Sequence, residues 1–471
     1  MNNETILRPA IVDGKIIRTH VPRASHDAVG NIKRDPIKLL RESNKNRIAR
    51  LIPLRYGRML ASPFAFYRGS ACIQAHDLST TPQTGLIQQI CGDAHIMNFG
   101  GFATPERHLV FDINDFDETH IAPWEWDIKR LAASITVAAR GLGFKSGATD
   151  DIVFKAVERY RQSIAEYAEM SALDIWYRKM TFDEMLASSI YEEGRKQIEK
   201  MMKKAEQRTH LNLLPKIADK KDGKWILHDD PPESFHIQGK ATLIAADDKW
   251  MYLNEGEAIR EGFGKYLKTL APSQRLLLSR FKIQDMVFKV VGVGSVGTRC
   301  LALLLTDSHE QPLFIQVKQA LPSVLAPYCS KRKIDHKQRG QQIVYGQRLM
   351  QSASDSFLGW ATGPLGYEYY FRQLRDMKVS AEIELLSEQI FGRYAWLCCD
   401  ILAHAHAKAG GLTSAMTSYL GNNEEFSDAI VRYANNYAKV VESDYEQFRT
   451  ACRTGVLKAQ TEVDFKAQVS I

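Results

Sequence analysis

Cysteine is scarce in this sequence, and none of it falls in a metal-binding or redox spacing. Seven cysteines lie scattered through 471 residues, odd in number and without a CxxC pair, so neither a disulfide framework nor a zinc ribbon is expected. Long apolar runs are missing too. None approaches the ~18 residues that span a bilayer, and the opening MNNETILRPAIVDGK lacks the charged-then-apolar pattern of a secretion signal. A reduced, cytoplasmic compartment and no membrane partner are expected. Charge of one sign is nearly lacking as well: 62 Lys and Arg against 55 Asp and Glu leave +7. That excess is too small for a dedicated nucleic-acid binder, so no nucleic-acid partner is expected, but it suits anionic small substrates such as nucleotides. Internal repeats and low-complexity tracts are absent. What is present, 45% hydrophobic and 25% charged residues, is ordinary globular composition at a length that suits two lobes or two to three domains.

Residues 1–45 are polar, contain Pro22 and Pro36, and read as an arm that packs late or weakly. A helix is expected over 44–59. LIQQICGDAH and HLVFDINDF (108–116) read as short strands ending in corners rich in Asp and Asn, the placement that a site on strand ends requires. The pattern from 126 to 143 is helical, and Val153, Val157, Tyr160, Ile164 and Tyr167 make a clear apolar stripe. Thr181 and Glu184 form a capping box for a helix running toward Gln207, with Lys196, Lys200, Lys203 and Lys204 on a solvated face. Residues 215–250 read as a loop-rich connection between lobes. Beyond Arg280 the texture turns to strands, then a helix over 338–353, a strand within 366–378, and helices from 380 to 452.

Two clusters carry chemistry. Gly292-Val293-Gly294-Ser295-Val296-Gly297 is followed by TRCLALLLT, a turn at 307–311 and LFIQVKQA with Lys318. A dinucleotide fold would need a helix after the glycines. A β-hairpin with glycines at its tip and a lysine on the next strand instead allows close backbone approach to phosphates and a fixed positive charge on their oxygens. The second cluster is Gly92-Asp93-Ala94-His95-Ile96-Met97-Asn98, followed by Asn114-Asp115-Phe116-Asp117 and by Trp124-Glu125-Trp126-Asp127 at a helix start. Carboxylate and amide oxygens in this arrangement suit Mg²⁺ held together with phosphates, and Asp127 is placed to brace the loop.

CGDAHIMNFG followed by DINDFDETHIAPWEWDIKRLAAS resembles the paired motifs of the aminoglycoside and choline phosphotransferase branch of the kinase-like superfamily. The runs LIPLRYGRMLASPFAFYRG, CGDAHIMNFGGF, FDINDFDET, PWEWDIKRLAAS, VVGVGSVGTRC, GQRLMQSASDSFLGW and YYFRQLRDMK resemble, more closely, the bacterial domain of unknown function 2252 family over roughly 20–450. The superfamily resemblance implies ATP- and Mg²⁺- (or Mn²⁺-) dependent phosphoryl transfer to a small-molecule or protein acceptor. It makes Asp93 the base, Asn98 and Asp115 metal ligands with Asp117 a second candidate, and Gly292, Gly294, Ser295, Gly297 and Lys318 the nucleotide-binding elements. Because Asp93 precedes Gly292, the reverse of the usual order, the implied α+β fold is two-lobed and circularly permuted. Its parts would be an arm (1–45), a large mainly helical lobe (46–275), a small antiparallel β lobe (276–380) and a helical return (381–471). Residues 319–350 contain no Glu to pair with Lys318; either Asp335, Gln347 or a carboxylate from elsewhere replaces it, or Lys318 is held differently.

Three other readings stay open. The same fold can transfer AMP. Asp93-x-His95 also suits a metallophosphoesterase, with 114–118 and Gly421-Asn422-Asn423-Glu424 as imperfect partner motifs. A nucleotide-binding module without turnover is the third. Arg55, Arg58 and Arg68, and the group Arg372, Arg375 and Lys378, are basic clusters fit either for anionic ligands or for internal carboxylates. His404 and His406, two apart on a helix, cannot share a face, so a joint metal site is not expected.

Overall fold

The computed structural model describes residues 13–329, 338–374 and 377–469. The architecture is mixed α+β, 52% helical, with small antiparallel sheets beside a larger helical region. In chain order the strands are β1 (Ile87–Ile90), β2 (Phe99–Ala103), β3 (Leu109–Ile113), β4 (His120–Pro123), β5 (Ala218–Lys221), β6 (Lys224–Leu227), β7 (Ser234–Phe235), β8 (Lys282–Lys289), β9 (Cys300–Thr306), β10 (Pro312–Gln319), β11 (Gly359–Thr362) and β12 (Glu368–Gln373). Strands β1 and β4, β2 and β3, and β5 and β6 form two-stranded pairs; the rest make one six-stranded sheet in the order β11-β12-β10-β9-β8-β7. Every pairing in it is antiparallel.

Strand β10 runs through the middle and is buried along its whole length, its polar residues Gln316, Lys318 and Gln319 included. Alternation sorts its side chains by face. Ile315 and Val317 join Phe235, Trp250, Tyr266 and Phe371, whereas Phe314 joins Val287, Ala302, Leu304 and Leu227. The sheet therefore reaches back to Ser234, and its cover comes from residues 235–278. The stretch 215–250, expected to be a loop-rich connection, supplies a hairpin, an edge strand and core residues instead.

The helical region is organised around Glu125–Gly141, Ser146–Ala168, Glu388–Gly410 and Glu425–Arg453. The stripe expected on the second of these is buried, from Val153 to Tyr167, against Phe391, Ala395 and Leu402. Trp124 stacks on Tyr160 with ring centroids 5.8 Å apart. Each such buried aromatic or aliphatic side chain contributes about 1.5–3 kcal/mol. Helix Arg339–Met350 adjoins β11 and β12, yet buries Ile343, Val344 and Met350 in the helical core; it ties the two regions together.

Three local expectations change. The capping box at Thr181 is formed, but its helix ends at Ser188 and a second helix runs from Glu192 to Gln207. The helix expected over 44–59 starts at Ile52, after a 3₁₀ turn. Residues 13–45 are not a loosely packed arm: Leu40 and His26 are fully buried. Arg34 donates to Asp77 (2.7 Å) and Asp444 (2.6 Å), both themselves buried. No helix among the described residues is long and apolar enough to cross a membrane.

Candidate active site

The acidic loop leaves β1 at Cys91 and is held from behind. The Asp127 carboxylate, at the start of helix Glu125–Gly141, accepts the backbone N–H groups of Cys91 (2.7 Å) and Gly92 (2.9 Å). His406 stands behind it, Nε2 3.3 Å from Asp127 Oδ2 and Nδ1 2.7 Å from the Tyr160 hydroxyl. His404 is engaged elsewhere, 2.9 Å from the Ile175 carbonyl. Gly92 has φ +84°, and a Cβ there would stand 2.1 Å from the Glu118 carbonyl oxygen, so no other residue fits the turn. Ser134 accepts the Ile96 N–H at 2.8 Å.

Asn98, buried, donates from Nδ2 to the carbonyls of Asp93 (3.1 Å) and Asp115 (2.9 Å). This one amide brings together the three residues that the sequence singles out. Asp112 faces away, its carboxylate accepting from the Ser352 N–H (2.7 Å) and hydroxyl (2.6 Å). Arg130 donates to Asp93 Oδ1 at 2.8 Å and lies over the Tyr67 ring, 3.8 Å from its centroid. Burial pushes the His95 imidazole down to about 3, so it is neutral; its Nε2 lies 3.9 Å from Asp93 Oδ2.

From the sheet side comes Lys318, whose side chain is 2% exposed. Its ammonium sits 3.1 Å from Asp115 Oδ2 and also pairs with Asp117. These carboxylates are the partners of Lys318, in place of any residue of 319–350. Gln347 bonds Gln351 instead, and Asp335 lies outside the described residues, as does Arg375. Burial by itself would raise the Asp115 carboxyl, but Lys318, Arg372 and Lys378 hold it well below the usual range. Burial likewise opposes the charge on Lys318, and Asp115 and Asp117 raise it well above the ordinary value. Tyr370 donates to Asp117 Oδ1 at 2.6 Å. Arg372 donates to Gln316 (2.8 Å) and the Asn114 carbonyl (3.3 Å).

The glycine cluster connects β8 to its antiparallel neighbour β9, as a phosphate-approaching hairpin requires and a dinucleotide fold does not. Gly292 and Gly297 take φ +64° and +85°. The Ile48 N–H donates to the Gly297 carbonyl (2.8 Å), Arg47 to that of Val296 (2.6 Å) and Arg58 to that of Gly292 (2.7 Å). Ser295 donates to Asp117 at 3.4 Å.

All these parts surround one cleft of 470 Å³, lined among others by Asp93, Asn98, Asp115, Asp117, Gly294 and Lys378. Lys318 is not on its wall; it stands behind the two carboxylates. Gly421 is bonded to Arg161 (2.9 Å) away from this cleft. Asp115 Oδ1 is buried with no partner, and two carboxylates with an amide are the hard oxygen donors that Mg²⁺ takes. Among the described residues no three His, Cys, Asp or Glu side chains gather as a metal cage. Arg130 and Tyr370 join the site from outside the motifs singled out in the sequence. For Arg130 the signal is its place three residues after Asp127 on the same helix; for Tyr370 there is none.

No curated protein and no solved structure matches the chain. Residues 47–451 match the family described as "Uncharacterized protein conserved in bacteria (DUF2252)", and the chain belongs to that family.

Proposed function

We propose that the protein is an ATP- and Mg²⁺-dependent phosphotransferase with a kinase-like, circularly permuted fold. The observation that carries this is the pairing of Lys318 with Asp115 and Asp117, behind the cleft that those two carboxylates share with Asp93, Asn98 and the 292–297 hairpin. Such sites work by positioning and charge neutralisation. Asp115, Asp117 and the oxygen of Asn98 would hold the divalent cation, which would supply counter-charge to the carboxylates and to phosphate oxygens, with Lys318 as the fixed positive charge beside them. The glycine hairpin covers those phosphates. Asp93, oriented through Oδ1 by Arg130, accepts the acceptor's hydroxyl proton at Oδ2. The six-stranded sheet serves as the small lobe and the helices before and after it as the large one. Helix Glu388–Gly410, late in the chain, supports the early catalytic loop through His406 and Asp127, as a permuted chain requires.

One observation favours a second reading. Arg130 already occupies one carboxylate oxygen of Asp93 at 2.8 Å, a fixed ion pair that suits a nucleotide-binding module without turnover. Thermal shift with ATP and AMP-PNP, with and without Mg²⁺, is read beside product analysis. The expected result is Mg²⁺-dependent stabilisation, which binding alone produces by mass action, and slow release of ADP. Asp115→Asn is expected to lose the stabilisation; Asp93→Asn keeps it and loses ADP release. Release of AMP with pyrophosphate would reassign the protein to adenylyl transfer. Binding without any product would support the second reading, and no nucleotide effect at all would end both.

A further inference from the structure

The two walls of the cleft balance their charge differently. On the acidic wall each carboxylate is engaged: Asp93 by Arg130, Asp115 and Asp117 by Lys318, and Glu118 by the Val324 N–H at 2.6 Å. The wall built from residues 42–72 carries Arg47, Arg55 and Arg68 against one carboxylate, Glu42, and Lys378 lines the same cleft. Among the described residues no carboxylate stands within 4 Å of any of these four cations. Arg47 spends its donors on the carbonyls of Ser43 (3.2 Å) and Val296 (2.6 Å). Arg55 spends its own on Asn44 (2.5 Å), Ser43 (3.1 Å) and the Gly69 carbonyl (2.6 Å). The Nε atoms of Arg55 and Arg68, and Nδ1 of His95, are buried with no partner.

Elsewhere the protein matches its buried arginines: Arg34 with Asp77 and Asp444, Arg159 with Asp400. Arg55 is buried and Arg47, Arg68 and Lys378 are partly buried, and a buried cation without a close counter-charge is costly. Desolvation duly pulls Arg47 down to about 9 and Lys378 to about 7, and lowers Arg55 and Arg68.

We propose that Arg47, Arg55 and Arg68 hold a phosphate or carboxylate group of the acceptor, so that the second substrate is an anion presenting its hydroxyl to Asp93. This rests on the phosphotransferase reading, in which the nucleotide's phosphates lie against Asp115 and Asp117 and leave these arginines to the acceptor. Guanidinium groups match both anions in a planar, two-pronged geometry. A polycationic acceptor would add to the unmatched charge instead of cancelling it.

The test is the thermal stability of the full chain with inorganic phosphate or succinate, each with and without saturating AMP-PNP and Mg²⁺. Phosphate, succinate or both are expected to raise the melting temperature whether or not the nucleotide is bound, and the more effective one names the anion. Arg68→Gln is expected to weaken that effect at least tenfold; should it not melt cooperatively, Arg47→Gln gives the same readout. Silence from both anions overturns the proposal. So does an anion effect that vanishes once AMP-PNP and Mg²⁺ are bound, because the arginines then serve the nucleotide's own phosphates. If AMP-PNP has no effect while phosphate still acts through Arg68, the phosphotransferase reading falls and the anion site stands.

Discussion

The acidic loop and the glycine hairpin face each other across one cleft, but they are held in unlike ways. The loop is braced from behind by buried side chains: Asp127 on two amides, Asn98 on two carbonyls, Ser134 on a third amide. The hairpin hangs from three bonds that Arg47, Ile48 and Arg58 make to its carbonyls, plus the 3.4 Å contact of Ser295 with Asp117. The difference is what the proposed chemistry asks for. Groups that position a proton and a cation must not move, and supporting bonds on rigid helices ensure that; a cover over phosphates must yield to admit and release them.

The harshest way to break this comparison is Asp127→Ala. It leaves the Cys91 and Gly92 amides and His406 without their shared acceptor, in a place closed to water. Hydrogen bonds to a charged group contribute about 1.5–3 kcal/mol each, so a stability loss of about 3 kcal/mol or more is expected in chemical denaturation. A loss below about 1 kcal/mol would mean that the loop is held by something other than this brace.

Lys318→Ala probes the junction between the two regions. It removes the counter-charge of Asp115 and Asp117 without touching the loop's brace. Titration calorimetry is expected to show at least a tenfold fall in affinity for ATP with Mg²⁺, about 1.4 kcal/mol, in a chain that still melts cooperatively. Unchanged affinity would detach the sheet from the site and leave the hairpin a structural turn.

The same contrast marks what could be read from the sequence. The acidic loop lies within residues 91–127, so strand ends, spacing and the helix-opening Asp127 were all visible in one segment. The hairpin and Lys318 were visible too, because β8, β9 and β10 follow one another directly. What escaped depends on partners far along the chain. Arg34 looked like part of a polar arm because Asp77 and Asp444, 43 and 410 residues away, anchor it. Tyr370 and Lys318 reach carboxylates that precede them by more than two hundred residues. The helix expected to run from 181 to 207 stops at Ser188 and a second begins at Glu192, since a capping box marks where a helix starts and not where it ends.

The mildest test uses pH to separate the two regions. His236 lies on the sheet side, Nε2 3.0 Å from Asp285 of β8 and Nδ1 2.9 Å from Asp229. The bond to Asp285 chiefly, against the opposing effect of burial and with help from Asp229, raises its pKa from 6.5 to about 9. A group whose pKa is raised by folding stabilises fully below its unfolded value and loses that contribution as pH rises through the folded one. The sheet side should therefore loosen between about pH 6.5 and 9. Solvent screening at this half-buried site reduces the effect to about 1 kcal/mol. The acidic loop responds in the opposite sense: Asp115 is depressed, so its contribution is present above the ordinary carboxylate value near 3.9 and is lost only as pH falls further. His236→Gln should accordingly shrink the stability difference between pH 6 and pH 9.5 by about 1 kcal/mol while leaving acid unfolding unchanged. If wild type and variant show the same alkaline slope, the clamp between β8 and residue 236 does not carry charge, and the sheet side owes its hold to packing alone.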